Sequence, residues 1–167
     1  RHGQTNKAYQ FDGVDDFIRI NHSSSLSLTS FTLSLWFESN GTGPARPIII
    51  KDNHTGENYS IWFESVNSRI LSQFYPGPGS QVITVRDIGL NQLYFVTSTF
   101  HNNTFKIFIN GNEESSISSN QTPGVDNEPL YIGYDGGNGY NKIQGVVDDI
   151  RIYNRALSAE EVSALYR

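Results

Sequence analysis

The sequence predicts an all-β fold: a two-sheet antiparallel β-sandwich of the jelly-roll kind, with a short C-terminal helix. Three observations carry this. Apolar and polar residues alternate with period two through most of the 167 residues. Stretches rich in Gly, Pro and Asn interrupt the alternation at short intervals. A helical signal stands only at the very end.

The alternation places strands near 7–11, 16–20, 30–38, 47–51, 58–64, 69–75, 81–86, 92–101, 104–110, 113–118, 129–134 and 143–153. In the third, Phe31, Leu33, Leu35 and Phe37 point one way and Thr32, Ser34, Trp36 and Glu38 the other. Phe105, Ile107 and Ile109 do the same against Lys106 and Phe108, and Asn110-Gly111 supplies a type I′ turn into the next strand. Loops are expected at 39–46, 53–57, 76–80, 119–128 and 135–141. At the end, Ser158 is an N-cap with Glu161 three residues later, a capping box, and Leu157, Val162 and Leu165 form one apolar face. A helix so short is unstable alone, so it is expected to lie on the sandwich.

So many short strands need two stacked sheets, because one open sheet of that width curls or splits. The segment Gly145-Val-Val-Asp-Asp-Ile-Arg-Ile-Tyr-Asn-Arg-Ala-Leu157 is expected to lie beside the first strand region, Tyr9 to Ile20, and close the sandwich.

The length suits one domain over residues 1–167 and lets a core form without staples, with roughly 70% of the unfolded surface buried. Cys is absent, which excludes a disulfide scaffold and a thiolate metal site. No apolar run approaches the length of a membrane span. The formal net charge is −5 and the Lys and Arg residues are scattered, which argues against nucleic acid. Residue 1 is Arg, which suggests either a piece of a larger multidomain chain or a processed chain. Asn21, Asn40, Asn53, Asn58, Asn102 and Asn120 each head an Asn-X-Ser/Thr glycosylation sequon. Together with few charges and many Ser, Thr, Asn, Gly, Tyr and Phe, they point to an extracellular or cell-surface glycoprotein.

Closure of the sandwich would bring Asp12, Asp15 and Asp16 near Asp148 and Asp149. Calcium takes six to eight oxygen ligands, and close carboxylates without a cation repel one another. Strand neighbours face opposite ways, so Asp148 and Asp149 reach one ion only across a bulge. The competing reading is structural: Asp12-Gly13 suits a hairpin, and Asp149 can pair with Arg151 or Arg19.

A sugar has apolar faces and polar edges, so a sugar site combines aromatic rings with amide and carboxylate groups. Candidate contacts are Asp52, Asn53, Trp62, Tyr75, Asp135, Asn138 and Tyr140, with Asp135-Gly-Gly-Asn-Gly-Tyr-Asn141 as the lip of the site. Tyr59 and Tyr134 lie on or near loops as well, whereas Trp36 reads as packing. Catalysis has little support. No Glu-x-Asp-x-x-Glu run, Gly-x-Ser-x-Gly elbow or His-Glu-x-x-His motif is present. Glu38 and Glu64, in echoing Trp-Phe-Glu-Ser segments, are the one conceivable acid pair.

Five segments in order resemble the laminin G-like, concanavalin A-like jelly-roll family: Ala8 to Ile18 with its Phe-Asp-Gly-Val-Asp-Asp run, Phe31-Thr-Leu-Ser-Leu-Trp36, Phe105-Lys-Ile-Phe-Ile-Asn-Gly111, Leu130-Tyr-Ile-Gly133 and Gly145 to Ser158. One departure is Asn91-Gln-Leu-Tyr-Phe-Val96, where the family usually has Trp-His. The resemblance implies two curved antiparallel sheets, a structural calcium, and binding to glycans or proteins rather than catalysis. It carries the metal ligands over to Asp12 and Asp148, with Asp16 as a third. The expectation is therefore a non-catalytic recognition module, carbohydrate-binding and calcium-holding, within a larger surface protein. The alternative is an adhesion or spacer module that binds a protein, and a glycoside hydrolase stands behind both.

Overall fold

The alternating residues do form strands. The structure is a computed structural model that describes residues 8–52, 57–74, 80–84, 86–137 and 142–167. In chain order it contains β1 (Tyr9–Asp12), β2 (Ile18–Ile20), β3 (Phe31–Ser39), β4 (Arg46–Asp52), β5 (Glu57–Glu64), β6 (Arg69–Gln73), β7 (Gln81–Ile83), β8 (Tyr94–His101), β9 (Thr104–Ile109), β10 (Asn112–Ser118), β11 (Leu130–Ile132), β12 (Gln144–Tyr153) and α1 (Ala159–Tyr166). Each expected strand is found. The 129–134 strand is shorter than expected because Gly133 takes φ +81, and its carbonyl accepts from Ile143 across the turn. A Cβ there would lie 2.9 Å from the Phe11 ring, so only glycine fits this approach.

One six-stranded sheet runs β1-β12-β3-β8-β9-β10 and the other β2-β11-β4-β5-β6-β7, with antiparallel pairing at every step. Period two turns Phe31, Leu33, Leu35 and Phe37 of β3 inward against Tyr59, Ile61 and Phe63 of β5, and the Phe37 and Phe63 rings meet at 5.4 Å. Burying each such side chain contributes about 1.5–3 kcal/mol.

The other face of the first sheet is covered by the helix. Trp36, Phe95 and Phe108 pack there with Leu157, Val162 and Tyr166, and the Trp36 ring lies 5.7 Å from that of Tyr166. The capping box forms: Glu161 N–H donates to Ser158 Oγ at 3.2 Å, and Ser158 N–H donates to the Glu161 carboxylate at 2.8 Å. No helix among the described residues is long and apolar enough to cross a membrane.

The chain closes as expected, since β1 pairs with β12. The partner of β2 is β11 in the opposite sheet, however, so residues 13–17 form a corner between sheets and not a hairpin. This corner positions the site.

Candidate functional site

At the corner, Asp12 Oδ1 accepts from Val14 N–H at 2.7 Å and from Asp15 N–H at 3.3 Å, and Asp16 Oδ2 accepts from Asp12 N–H at 3.1 Å. The Val14 N–H, chiefly, holds the Asp12 carboxyl below the usual carboxylate range. Asp12, Asp15 and Asp16 each offer a carboxylate oxygen, all within 4.8 Å of one another and exposed. Two calcium–oxygen bonds span up to about 5 Å, so the hard oxygen donors and their spacing fit calcium, with room for waters.

Asp148 does not join them. Asp12 stands opposite Gln144 in the β1–β12 ladder, and Asp148 lies opposite Trp36 on β3. Four residues of strand put Asp148 roughly 13 Å from the corner. Of the expected ligands Asp12, Asp16 and Asp148, the first two thus stand together at the corner beside Asp15, and Asp148 stands apart from them. The bulge considered from the sequence is present: the β12–β3 register shifts between Asp148 and Arg151, and Asp149 takes φ +49. It serves structure instead. Asp148 Oδ1 accepts from Asp149 N–H, and Asp149 pairs with Arg151 at 2.6 Å.

Immediately after the corner an aromatic group gathers. Phe17 precedes β2, Tyr131 lies on β11 and Tyr134 follows it. Their ring centroids lie 5.2 Å (Phe17–Tyr134), 5.7 Å (Tyr131–Tyr134) and 6.3 Å (Phe17–Tyr131) apart. Phe17 is 45% exposed. Lys142 ties this group to the corner: its Nζ donates to the Val14 carbonyl at 3.0 Å and sits 5.0 Å over the Tyr134 ring. Arg19 Nε donates to the Tyr131 hydroxyl. Gly136, at φ +86, lies against Tyr131, where a Cβ would stand 2.8 Å from the ring.

Of the sequence-derived sugar contacts, Asp135 borders this group. It is buried, its Oδ1 accepts from Gly137 N–H, and its Oδ2 has no partner among the described residues. Trp62, a candidate sugar contact, is 8% exposed, donates to Ser60 Oγ and packs with Ile50 and Leu71 on the outer face of the second sheet. Asn53, Tyr75, Asn138 and Tyr140 lie outside the described residues, as does the side chain of Asp52, which ends β4. Phe17 and Tyr131 escaped the sequence reading; Phe17 was hidden in an apolar strand pattern and Tyr131 in a short β11.

The sequons divide. Asn21, Asn40, Asn102 and Asn120 are exposed, and Asn53 lies outside the described residues. Asn58 is fully buried and its amide donates to the Leu28 carbonyl, so the folded chain offers no acceptor there. Glu38 and Glu64 lie on opposite sheets and so do not face each other across the strands of one sheet, and Glu64 accepts from Arg69.

A sequence profile of the concanavalin A-like lectin/glucanases superfamily matches residues 12–163. The chain belongs to this superfamily. No curated protein matches the sequence. Among solved structures, domain 4 of AbnA, an extracellular GH43 arabinanase from Geobacillus stearothermophilus, in complex with arabinotriose, is 19% identical with a TM-score of 0.77, over 99% of this chain and 79% of that one. The CBM40 of Ruminococcus gnavus IT-sialidase, bound to α2,3-sialyllactose, is 11% identical with a TM-score of 0.71, over 96% of both chains. A heptameric SAP-like pentraxin from Limulus polyphemus is 16% identical with a TM-score of 0.68, over 95% of this chain and 80% of that one. At these identities the likeness establishes the jelly-roll fold.

Proposed function

We propose that this superfamily member is a non-catalytic carbohydrate-recognition module of an extracellular or cell-surface protein, with a calcium ion held at the corner by Asp12, Asp15 and Asp16. The observation that carries the reading is the Phe17–Tyr131–Tyr134 group beside the acidic corner, joined to it by Lys142. Aromatic rings take the apolar faces of a sugar, and neighbouring carboxylates and amides take its hydroxyls. The printed ligands of the structural neighbours, arabinotriose and sialyllactose, support the same class. The four exposed sequons and the extracellular arabinanase support the location.

In this reading the calcium is structural. It would neutralise the three corner carboxylates and hold the turn that delivers Phe17 to the aromatic group, while the protein supplies the sugar contacts itself. The test is a glycan array probed with the protein in calcium and again in EDTA. Retention of at least one glycan is expected, and silence across the array under both conditions overturns the reading.

A second reading draws on one observation. Tyr9 of β1, Val14 and Phe17 of the corner and Ile20 of β2 are all exposed. A protein partner can use such exposed apolar side chains, so an adhesion module is the outcome that a silent array and a specific protein partner would favour.

A further inference from the structure

We propose that the ring group of Phe17, Tyr131 and Tyr134 is itself the ligand surface, and that it takes a neutral saccharide and rejects acidic ones. This rests on the glycan-recognition reading and narrows it to a place and a ligand class.

The place follows from which aromatic surface is open. The outer face of the second sheet carries an adjoining patch, against which Tyr131 packs, but its residues bury one another: Ile50 is 1% exposed, Leu71 4% and Trp62 8%. Phe17, at the edge of the same sheet, is 45% exposed. The β2–β11 ladder holds it against the two tyrosines, with Ile18 opposite Ile132 and Arg19 opposite Tyr131. Gly136 backs the Tyr131 ring and Lys142 backs the Tyr134 ring, so the group is preorganised.

The class follows from charge. Among the described residues, the corner carboxylates Asp12, Asp15 and Asp16 precede Phe17 and Asp135 follows Tyr134, while the cations in contact with the group are Arg19 and Lys142. Both cations are already engaged. Lys142 donates to the Val14 carbonyl and lies on Tyr134, and Arg19 donates to the Tyr131 hydroxyl and to Asn21 Oδ1. The surroundings are therefore negative with the corner empty and balanced with a divalent cation there. With the corner empty, like charge disfavours a uronate or sialate carboxylate, and in the balanced state no net positive field draws one to the rings. A neutral ring loses nothing to this field and can still donate hydroxyls to the carboxylates.

The experiment is calorimetric titration of the whole chain with arabinotriose, xylotriose, cellotriose and galactotriose as neutral probes, and with trigalacturonate and 3′-sialyllactose as acidic probes. A neutral probe is expected to bind, with acidic ones weaker by about tenfold or more. Phe17→Ala and Tyr134→Ala are each expected to weaken the neutral probe by about tenfold, with circular dichroism and the melting temperature used to confirm folding. Asp15→Asn with Asp16→Asn is expected to narrow the gap between the two probe classes. An acidic probe that binds as tightly as the neutral ones overturns the class. Neutral binding untouched by either aromatic substitution overturns the place, while leaving glycan recognition standing. Failure of every probe removes both.

Discussion

Lys51 and Asp126 form a salt bridge inside the end of the sandwich, with side chains 0% and 7% exposed. Lys51 also donates to the Asp126 carbonyl, and Ser27 Oγ donates to that same oxygen. The pair thereby ties the loop before β11 to β4.

Removing one member leaves the other charge buried and unpaired. Asp126→Ala is expected to destabilise the fold by about 3–5 kcal/mol in urea unfolding. The double substitution Lys51→Met with Asp126→Leu should recover most of that loss, because the pair's desolvation cost disappears with its attraction. A double variant as unstable as the single one would contradict this.

The corner carboxylates predict a cation response. Calcium at about a hundredfold excess over its Kd should stabilise the protein by about 2.7 kcal/mol, read as a higher melting temperature than in EDTA. Asp12→Asn should abolish the response. Asp148→Asn should leave it intact, since Asp148 lies opposite Trp36 and Asp12 opposite Gln144.

The helix cap predicts a pH window. The Arg155 guanidinium, with the Ser158 N–H, lowers the Glu161 carboxyl to about 2. A depressed carboxylate stabilises the folded state above its unfolded pKa. That contribution is lost as pH falls from about 4.5 toward the folded value. The pair is exposed, so salt should weaken the effect. Carboxyl NMR titration should place the Glu161 midpoint far below that of a free glutamate, and Arg155→Gln should raise it. Ser158→Ala should cost about 1 kcal/mol through the lost cap.

Gly145 predicts a steric failure. It sits on β12 between Phe11 of β1 and Ser39 of β3, with φ +154, and a Cβ would lie 2.0 Å from the Glu38 carbonyl oxygen. Gly145→Ala should therefore cost about 3 kcal/mol or more in unfolding experiments, because backbone and not a pliable side chain must move. Gly89→Ala makes a control, since its nearest contact would be 3.6 Å away and ordinary.

The strands were legible because period two and turn residues are local signals. The Phe31–Phe37 face, the Asn110-Gly111 turn and the Ser158–Glu161 cap each need only a few consecutive residues to be read. The site was only partly legible. Asp12, Asp15 and Asp16 stand within one short run, so their clustering could be read locally. Asp148 was misplaced because alternation shows which way a side chain points but not how far one strand slides against another. Trp62 faces outward as its strand predicts, yet neighbours from β4 and β6 cover it. Phe17 and Tyr134 are far apart in the chain, and only the β2–β11 pairing makes them neighbours.

The amino-acid sequence alone therefore determined the all-β class, the run of strands, the capped terminal helix and the presence of clustered acid, since each depends on neighbours along the chain. The tertiary structure alone decided which acids share the corner, which tryptophan is covered and which rings assemble at the open edge. Those depend on strand register and on the choice of sheet, and both emerge only when distant segments pack.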